Sequence, residues 1–169
     1  MPRGTVRRMT VLVTGGAGYI GSATVRRLAA DGADVVVLDT LELGDRRSIP
    51  GIDLVEAAID DRGAVIAACK EHGVTQVVHF AAYKSVGESM SDPTRYWQNN
   101  VGGTVALVDT LLSLGIDEIV FSSSCSVNGT PESMPVTEQA AVHPESVYAA
   151  SKAMVEQIPL AAEPEVATR

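Results

Sequence analysis

The chain has 169 residues, a formal net charge of −8, 46% hydrophobic and 20% charged residues. This is the length and balance of one globular domain, which excludes a disordered chain. The acidic surplus excludes the basic field that a nucleic-acid or anionic-membrane surface needs, though not anionic small ligands, because a helix N-terminus binds phosphate even in an acidic protein.

The start, "MPRGTVRR", is basic, and the apolar stretch after it breaks at Gly15 and Gly16, too early for a signal peptide. Residues 1–9 are expected to form a disordered extension, with Met9 an alternative start. Apolar runs rich in Val and Ile follow at "TVLVT" (10–14), "DVVVLD" (34–39), "DLVEAAI" (53–59), "QVVHFAA" (76–82) and "EIVFSSS" (118–124). Such unbroken runs suit strands buried on both faces, as in parallel sheets.

Helical patterns alternate with these strands. "YIGSATVRRLAADG" places Ile20, Thr24 and Leu28 on one stripe and stops at Gly32. "DDRGAVIAACKEHG" opens with acids and ends with Lys70, His72 and Gly73, matching the helix dipole at both ends. "DPTRYWQNNVGGTVALVDTLLSLG" has Pro93 near its start and Gly115 at its end, and predicts one long helix. A last helix begins near Ser146 and meets Pro159, which removes a backbone donor. Five β–α alternations predict an α/β fold, a Rossmann-type doubly wound parallel sheet over residues 10–158, with 159–169 a frayed tail. No membrane span is expected, since no apolar run approaches ~18 residues. Cys69 and Cys125 form no disulfide framework or metal spacing, so both are read as small buried side chains in a reducing, cytoplasmic setting.

The first chemical motif is "VLVTGGAGYIGS". Gly16, Gly18 and Gly21 satisfy a dinucleotide fingerprint between strand and helix, and Gly15, Gly18 and Gly21 a close variant. Asp39 ends the second strand 18 residues past Gly21, where a carboxylate accepts from ribose hydroxyls. The same carboxylate repels a 2′-phosphate, and the first basic residues after it are Arg46 and Arg47, which favours NAD over NADP.

The second motif is Tyr148 with Lys152 four residues on, one helix face apart by a single turn. A free phenol has a pKa near ~10 and is a poor base at neutral pH. A neighbouring ammonium favours the phenolate, so Tyr148 could take a proton from a substrate hydroxyl while hydride leaves its carbon. Ser124, in the serine cluster ending the fifth strand, could hold that hydroxyl.

With these blocks, and with "HFAAYKSVGES", "NNVGGT", "FSSSCSVNG" and "YAASKAMVEQI", the chain resembles the extended short-chain dehydrogenase/reductases from about Thr10 to Ile158, and within them the UDP-glucose 4-epimerase family. The resemblance implies NAD retained through turnover, held by Gly15, Gly18, Tyr19, Ile20, Gly21, Asp39, Ile59, Phe80, Ala81, Lys84, Asn99, Tyr148 and Lys152. It implies catalysis by Tyr148, Lys152 and Ser124, which interconverts UDP-glucose and UDP-galactose through a 4-keto sugar. No metal site is expected, and apolar surface left exposed where further elements would pack makes a homodimer possible. On plain reading Lys84 is a solvated lysine and Asn99 a helix residue. The related 4,6-dehydratases carry acids beside the fifth-strand serine, and "SSSCSVNG" has none.

The chain departs from the family pattern at several positions. Ala58 stands where an aspartate contacts adenine, leaving Asp60 or Asp61 to substitute; Ala82 and Ala149 replace glycines, and Asn128 a tyrosine. The resemblance fades after Ile158, before the segments that hold the UDP-sugar in the family. Truncation is therefore expected, with exposed apolar surface. An inactive NAD-binding remnant, or an epimerase of another nucleotide sugar, is the alternative.

Overall fold

The computed structural model describes residues 9–131 and 133–158. The expected N-terminal extension up to residue 8 and the tail from Pro159 lie outside them. Five parallel strands form one sheet: β1 (Thr10–Thr14), β2 (Asp34–Asp39), β3 (Asp53–Glu56), β4 (Gln76–His79) and β5 (Ile119–Phe121), in the order β3-β2-β1-β4-β5. Val11 pairs with Val35 on one side of β1 and with Gln76 on the other.

Alternation along the central strands supplies two cores, one on each face. Leu12, Val36 and Leu38 face α2 (Arg62–His72) and α5 (Thr104–Ser113), packing with Val65, Cys69, Leu107 and Leu111. Val11, Val13 and Val37 face the other way, onto Val25 of α1 (Tyr19–Ala30) and Ile49. This is the doubly wound Rossmann-type arrangement that the sequence predicts. Within α1 the buried stripe runs through Gly21, Ser22 and Val25 rather than through Ile20, which is 60% exposed.

β1 and β2 match the predicted runs residue for residue, but the last three strands are shorter. At their carboxyl ends Ala57, Phe80 and Ser122 each still donate an N–H to the neighbouring strand, to the Asp39, Thr14 and His79 carbonyls, but lie past the regular ladder and line a cleft. The edge strands are not buried on both faces: Val120 on β5 is 65% exposed.

The predicted 93–115 helix is three segments. A short α4 (Pro93–Tyr96) leads into a π-helical turn (Trp97–Gly103) and then into α5. A helix absent from the sequence reading, α3 (Val86–Ser91), precedes them, capped by the Ser85 side chain. The last helix, α6 (Val147–Glu156), starts where expected, with the Ser146 side chain accepting from the Ala149 N–H. Asp61 caps α2 in the same way and Gly73 ends it in the left-handed region.

Cys69 is buried, which pushes its thiol up to about 11. Cys125 is exposed, contrary to expectation, because its short 3₁₀ turn (Cys125–Asn128) lies on the surface side of the fifth-strand loop.

Leu12 is fully buried in the central strand. Leu12→Ala is expected to lower unfolding free energy by about 3 kcal/mol, with the urea midpoint as the readout.

Candidate functional site

A cleft of about 310 Å³ opens along the carboxyl edge of the sheet. β1 lies between β2 and β4, whose crossovers run to opposite sides, and ligands of doubly wound sheets bind at such a switch point. Gly15, Gly18, Tyr19, Ile20, Gly21, Asp39, Ile59, Phe80, Ala81, Lys84, Asn99, Tyr148 and Lys152 all line this cleft, although they come from six separate stretches of chain.

The glycine loop is shaped by close contacts. Gly15 has φ +69°, and a Cβ there would stand 2.6 Å from the Ala81 nitrogen. A Cβ on Gly21 would meet the Gly15 carbonyl oxygen at 2.2 Å. Larger residues at either position would force the loop off the sheet.

The loop delivers the N-terminus of α1 to the cleft. Gly18 is its cap residue and offers no side-chain bond. By contrast, α2, α3, α4 and α6 each have a side chain accepting from their first turn. The first-turn N–H groups of α1 therefore face the cleft with their dipole uncompensated, which suits an anion such as a pyrophosphate.

Asp39 is nearly buried, and both its oxygens already work within the protein. One accepts from the Ala17 N–H at 2.9 Å and the other from the Leu41 N–H at 2.9 Å. A carboxylate has about four lone-pair positions, so two ribose hydroxyls can still be accepted. Leu41 has φ +59°, a left-handed conformation costing a non-glycine residue about 1 kcal/mol. Arg46 and Arg47 are not in the cleft wall, and Arg47 is paired with Asp45.

Neither Asp60 nor Asp61, the expected substitutes for the aspartate missing at Ala58, lines the cleft. Asp61 is occupied as the cap of α2, and the wall there is Ala57, Ala58 and Ile59. Ala82 also lines the cleft. Asn128 points elsewhere, donating to the Ala141 carbonyl at 3.1 Å, and Ala149 is buried in α6.

At the other end stand Tyr148 and Lys152. Lys152 is 4% exposed and donates to the Ser122 carbonyl at 2.9 Å, with its ammonium 4.6 Å from the centre of the Phe121 ring. Burial pulls its pKa down to about 8. Ser124 is the one expected site residue outside the cleft wall. It caps the Cys125–Asn128 turn, its hydroxyl 2.8 Å from that of Ser126, while Ser122 and Ser123 line the cleft instead.

The sequence reading missed the residue that ties these pieces together. Asn100, in the π-helical turn, accepts from the Tyr83 N–H and the Asn99 amide, both at 2.9 Å. It donates to the Tyr83 carbonyl at 3.0 Å and to the Ser151 hydroxyl at 3.1 Å. Ser151 in turn donates to the Tyr148 carbonyl at 2.7 Å. A pair of asparagines just before two glycines was the available signal. Glu42, Leu43, Gly44 and Tyr83 in the wall were also missed, since loop residues carry no periodicity.

The geometry defines a Rossmann-type domain with an anion-ready helix end and a Tyr–Lys pair in one cleft. Residues 11–168 match the NAD dependent epimerase/dehydratase family, and the chain belongs to that family. It is 43% identical over 158 residues to the UDP-glucose 4-epimerase of Bacillus subtilis (strain 168), covering 89% of this chain and 47% of that protein. Among solved structures it is similar to the Brucella ovis UDP-glucose 4-epimerase in complex with NAD, with TM-score 0.86 and 39% identity over 88% of this chain and 46% of that one. The Stenotrophomonas maltophila enzyme, solved with NAD and formylated UDP-arabinopyranose, gives TM-score 0.85 and 40% identity over 89% and 47%. The chain thus spans about half the length of the relatives it matches. No helix among the described residues is long and apolar enough to cross a membrane.

Two outcomes follow from this geometry. Asn100→Ala strands buried partners on Tyr83 and Ser151 and is expected to cost about 3 kcal/mol, read by chemical denaturation. Lys152 has a folded pKa below its unfolded one, so between about pH 8 and ~10.5 the unfolded chain binds the extra proton and stability rises with pH. Urea midpoints measured across that window should climb in the native protein, and the climb should shrink in Lys152→Met.

Proposed function

We propose that these residues form the NAD site and proton-transfer pair of a UDP-glucose 4-epimerase, interconverting UDP-glucose and UDP-galactose. The observation that carries this reading is the meeting, in one cleft, of Asp39, the uncapped end of α1, and the Tyr148–Lys152 pair. The relatives' shared activity supports it. In this reading Gly15, Gly18, Tyr19, Ile20 and Gly21 cradle the pyrophosphate, Asp39 and Ile59 hold the adenosine end, and Phe80, Ala81, Lys84 and Asn99 border the nicotinamide end.

NAD, when bound, supplies a hydride acceptor and donor for the sugar's C4. The chain's own residues manage the proton. Tyr148 takes it from the C4 hydroxyl and returns it after the keto sugar has turned over. Lys152, one helical turn on, supplies a positive charge at this end of the cleft, and burial pulls its pKa down to about 8. Ser124 enters only by exchanging its bond to Ser126 for one to the sugar.

A second reading, an NAD-binding module without turnover of its own, is favoured by coverage, since the chain spans about half the length of the relatives it matches. Specificity for another nucleotide sugar belongs to the same test. A cytoplasmic setting accords with two unpaired cysteines, and a homodimer with exposed apolar side chains such as Val120 and Met154.

Calorimetry is expected to show NAD binding, weaker NADP binding, and loss of that preference in Asp39→Asn. A coupled assay of UDP-galactose conversion is expected to give turnover that Tyr148→Phe abolishes while NAD still binds. NAD binding with no conversion of any UDP-hexose supports the second reading; no NAD binding refutes both.

A further inference from the structure

The catalytic reading uses the two ends of the cleft and leaves a cluster of side chains at its mouth without a role. Because β2 and β4 flank β1, the loops after them stand on either side of the glycine loop. Those two loops are joined. The Tyr83 hydroxyl donates to Oε2 of Glu42 at 2.6 Å, and Arg95 pairs with the other oxygen of Glu42. Glu42 and Tyr83 both belong to the cleft wall.

Both footings of this bridge are fixed. The Arg95 guanidinium lies 4.0 Å from the centre of the Tyr83 ring and donates to Glu88 at 2.7 Å. Glu88 accepts in turn from the hydroxyl of Tyr96, a fully buried side chain. On the opposite side Glu42 follows the left-handed Leu41, whose N–H is held by Asp39. Strained backbone at a loop root is a mark of a functional segment.

We infer that Glu42, Tyr83 and Arg95 form a strap across the mouth of the cleft, closing over the bound dinucleotide and setting its rate of release. The inference rests on the proposed NAD site. Arg95 and Glu42 side chains are 35% and 47% exposed, so their pairing adds little to the fold itself. A link that must part before a ligand can leave acts instead on dissociation, where most differences in affinity arise. Partial exposure also makes the link sensitive to salt.

The test is the dissociation rate of NADH, followed by fluorescence after mixing the loaded protein with excess NAD. Arg95→Gln and Glu42→Gln are each expected to speed release roughly threefold to tenfold, with the double variant no faster than the singles because both remove one link. Tyr83→Phe keeps the ring and should give a smaller rise. In the native protein release should quicken as salt rises from about 0.05 to about 0.5 M, a measurement that needs no variant. Unchanged or slower release in Arg95→Gln and Glu42→Gln, with native circular dichroism, overturns the strap, as does salt-independent release from the native protein. Failure of the native protein to bind NADH at all overturns the NAD site itself.

Discussion

The cleft keeps its shape because one buried amide, that of Asn100, is bonded through every polar position it has. Its side chain holds the Tyr83 peptide from both sides, steadies Asn99, and reaches Ser151 on the helix that carries Tyr148. Its backbone carbonyl accepts from the Thr104 hydroxyl at 2.6 Å, which leaves that hydroxyl to accept from the His79 ring at 2.9 Å. The other ring nitrogen then accepts from Thr14 at 2.6 Å. A continuous line of hydrogen bonds thus runs from the centre of the sheet to the tyrosine helix. Burial, with Lys152 nearby, pulls the His79 pKa down to about 3, so this line carries no charge at neutral pH. In a low-dielectric interior a fully satisfied network of this kind specifies one arrangement, whereas a half-satisfied one costs stability.

The π-helical turn is the backbone counterpart of that network. A plain helix from Pro93 to Gly115 satisfies propensity, and the sequence pattern predicts it. The structure instead widens the helix at Trp97–Gly103, the stretch that presents Asn99 to the cleft and Asn100 to Tyr83 and Ser151. Such widened turns concentrate at functional sites because they redirect side chains at the expense of regular hydrogen bonding.

What could be read from the sequence follows from which forces are local. Strands β1 and β2 were legible to the residue because both are buried on two faces and their apolar runs are unbroken. The ends of β3, β4 and β5 were not, since an apolar residue such as Phe80 looks the same whether it continues a ladder or turns into a cleft. The glycine loop, Asp39 and the Tyr148–Lys152 pair were legible because their spacing is set within one β–α unit or one helical turn. Glu42 and Arg95 lie 53 residues apart, and nothing local to either announces the other. Ser124 is the converse case: its place after the strand is local and legible, but the short turn it caps, which sends its hydroxyl to Ser126, is seen only in the folded chain.

Asp39 illustrates why a motif residue can be both structural and functional. Its bonds to the Ala17 and Leu41 N–H groups fix the glycine loop and the root of the next loop in the same stroke. A ribose is then met by a carboxylate that is already oriented. The charge balance of the site follows the same economy of scale. With a net charge of −8, long-range fields oppose an anionic cofactor. Those fields are screened within about 8 Å at physiological salt. Inside that distance the groups that matter are the open first turn of α1 and the two lysines in the wall, Lys84 and Lys152. Asp39 and Glu42 line the same cleft, but the glycine loop and the Tyr83 hydroxyl direct their carboxylates into bonds within the protein. The sign of the whole chain therefore governs its approach to other macromolecules, while a handful of N–H groups and ammonium ions governs the pocket.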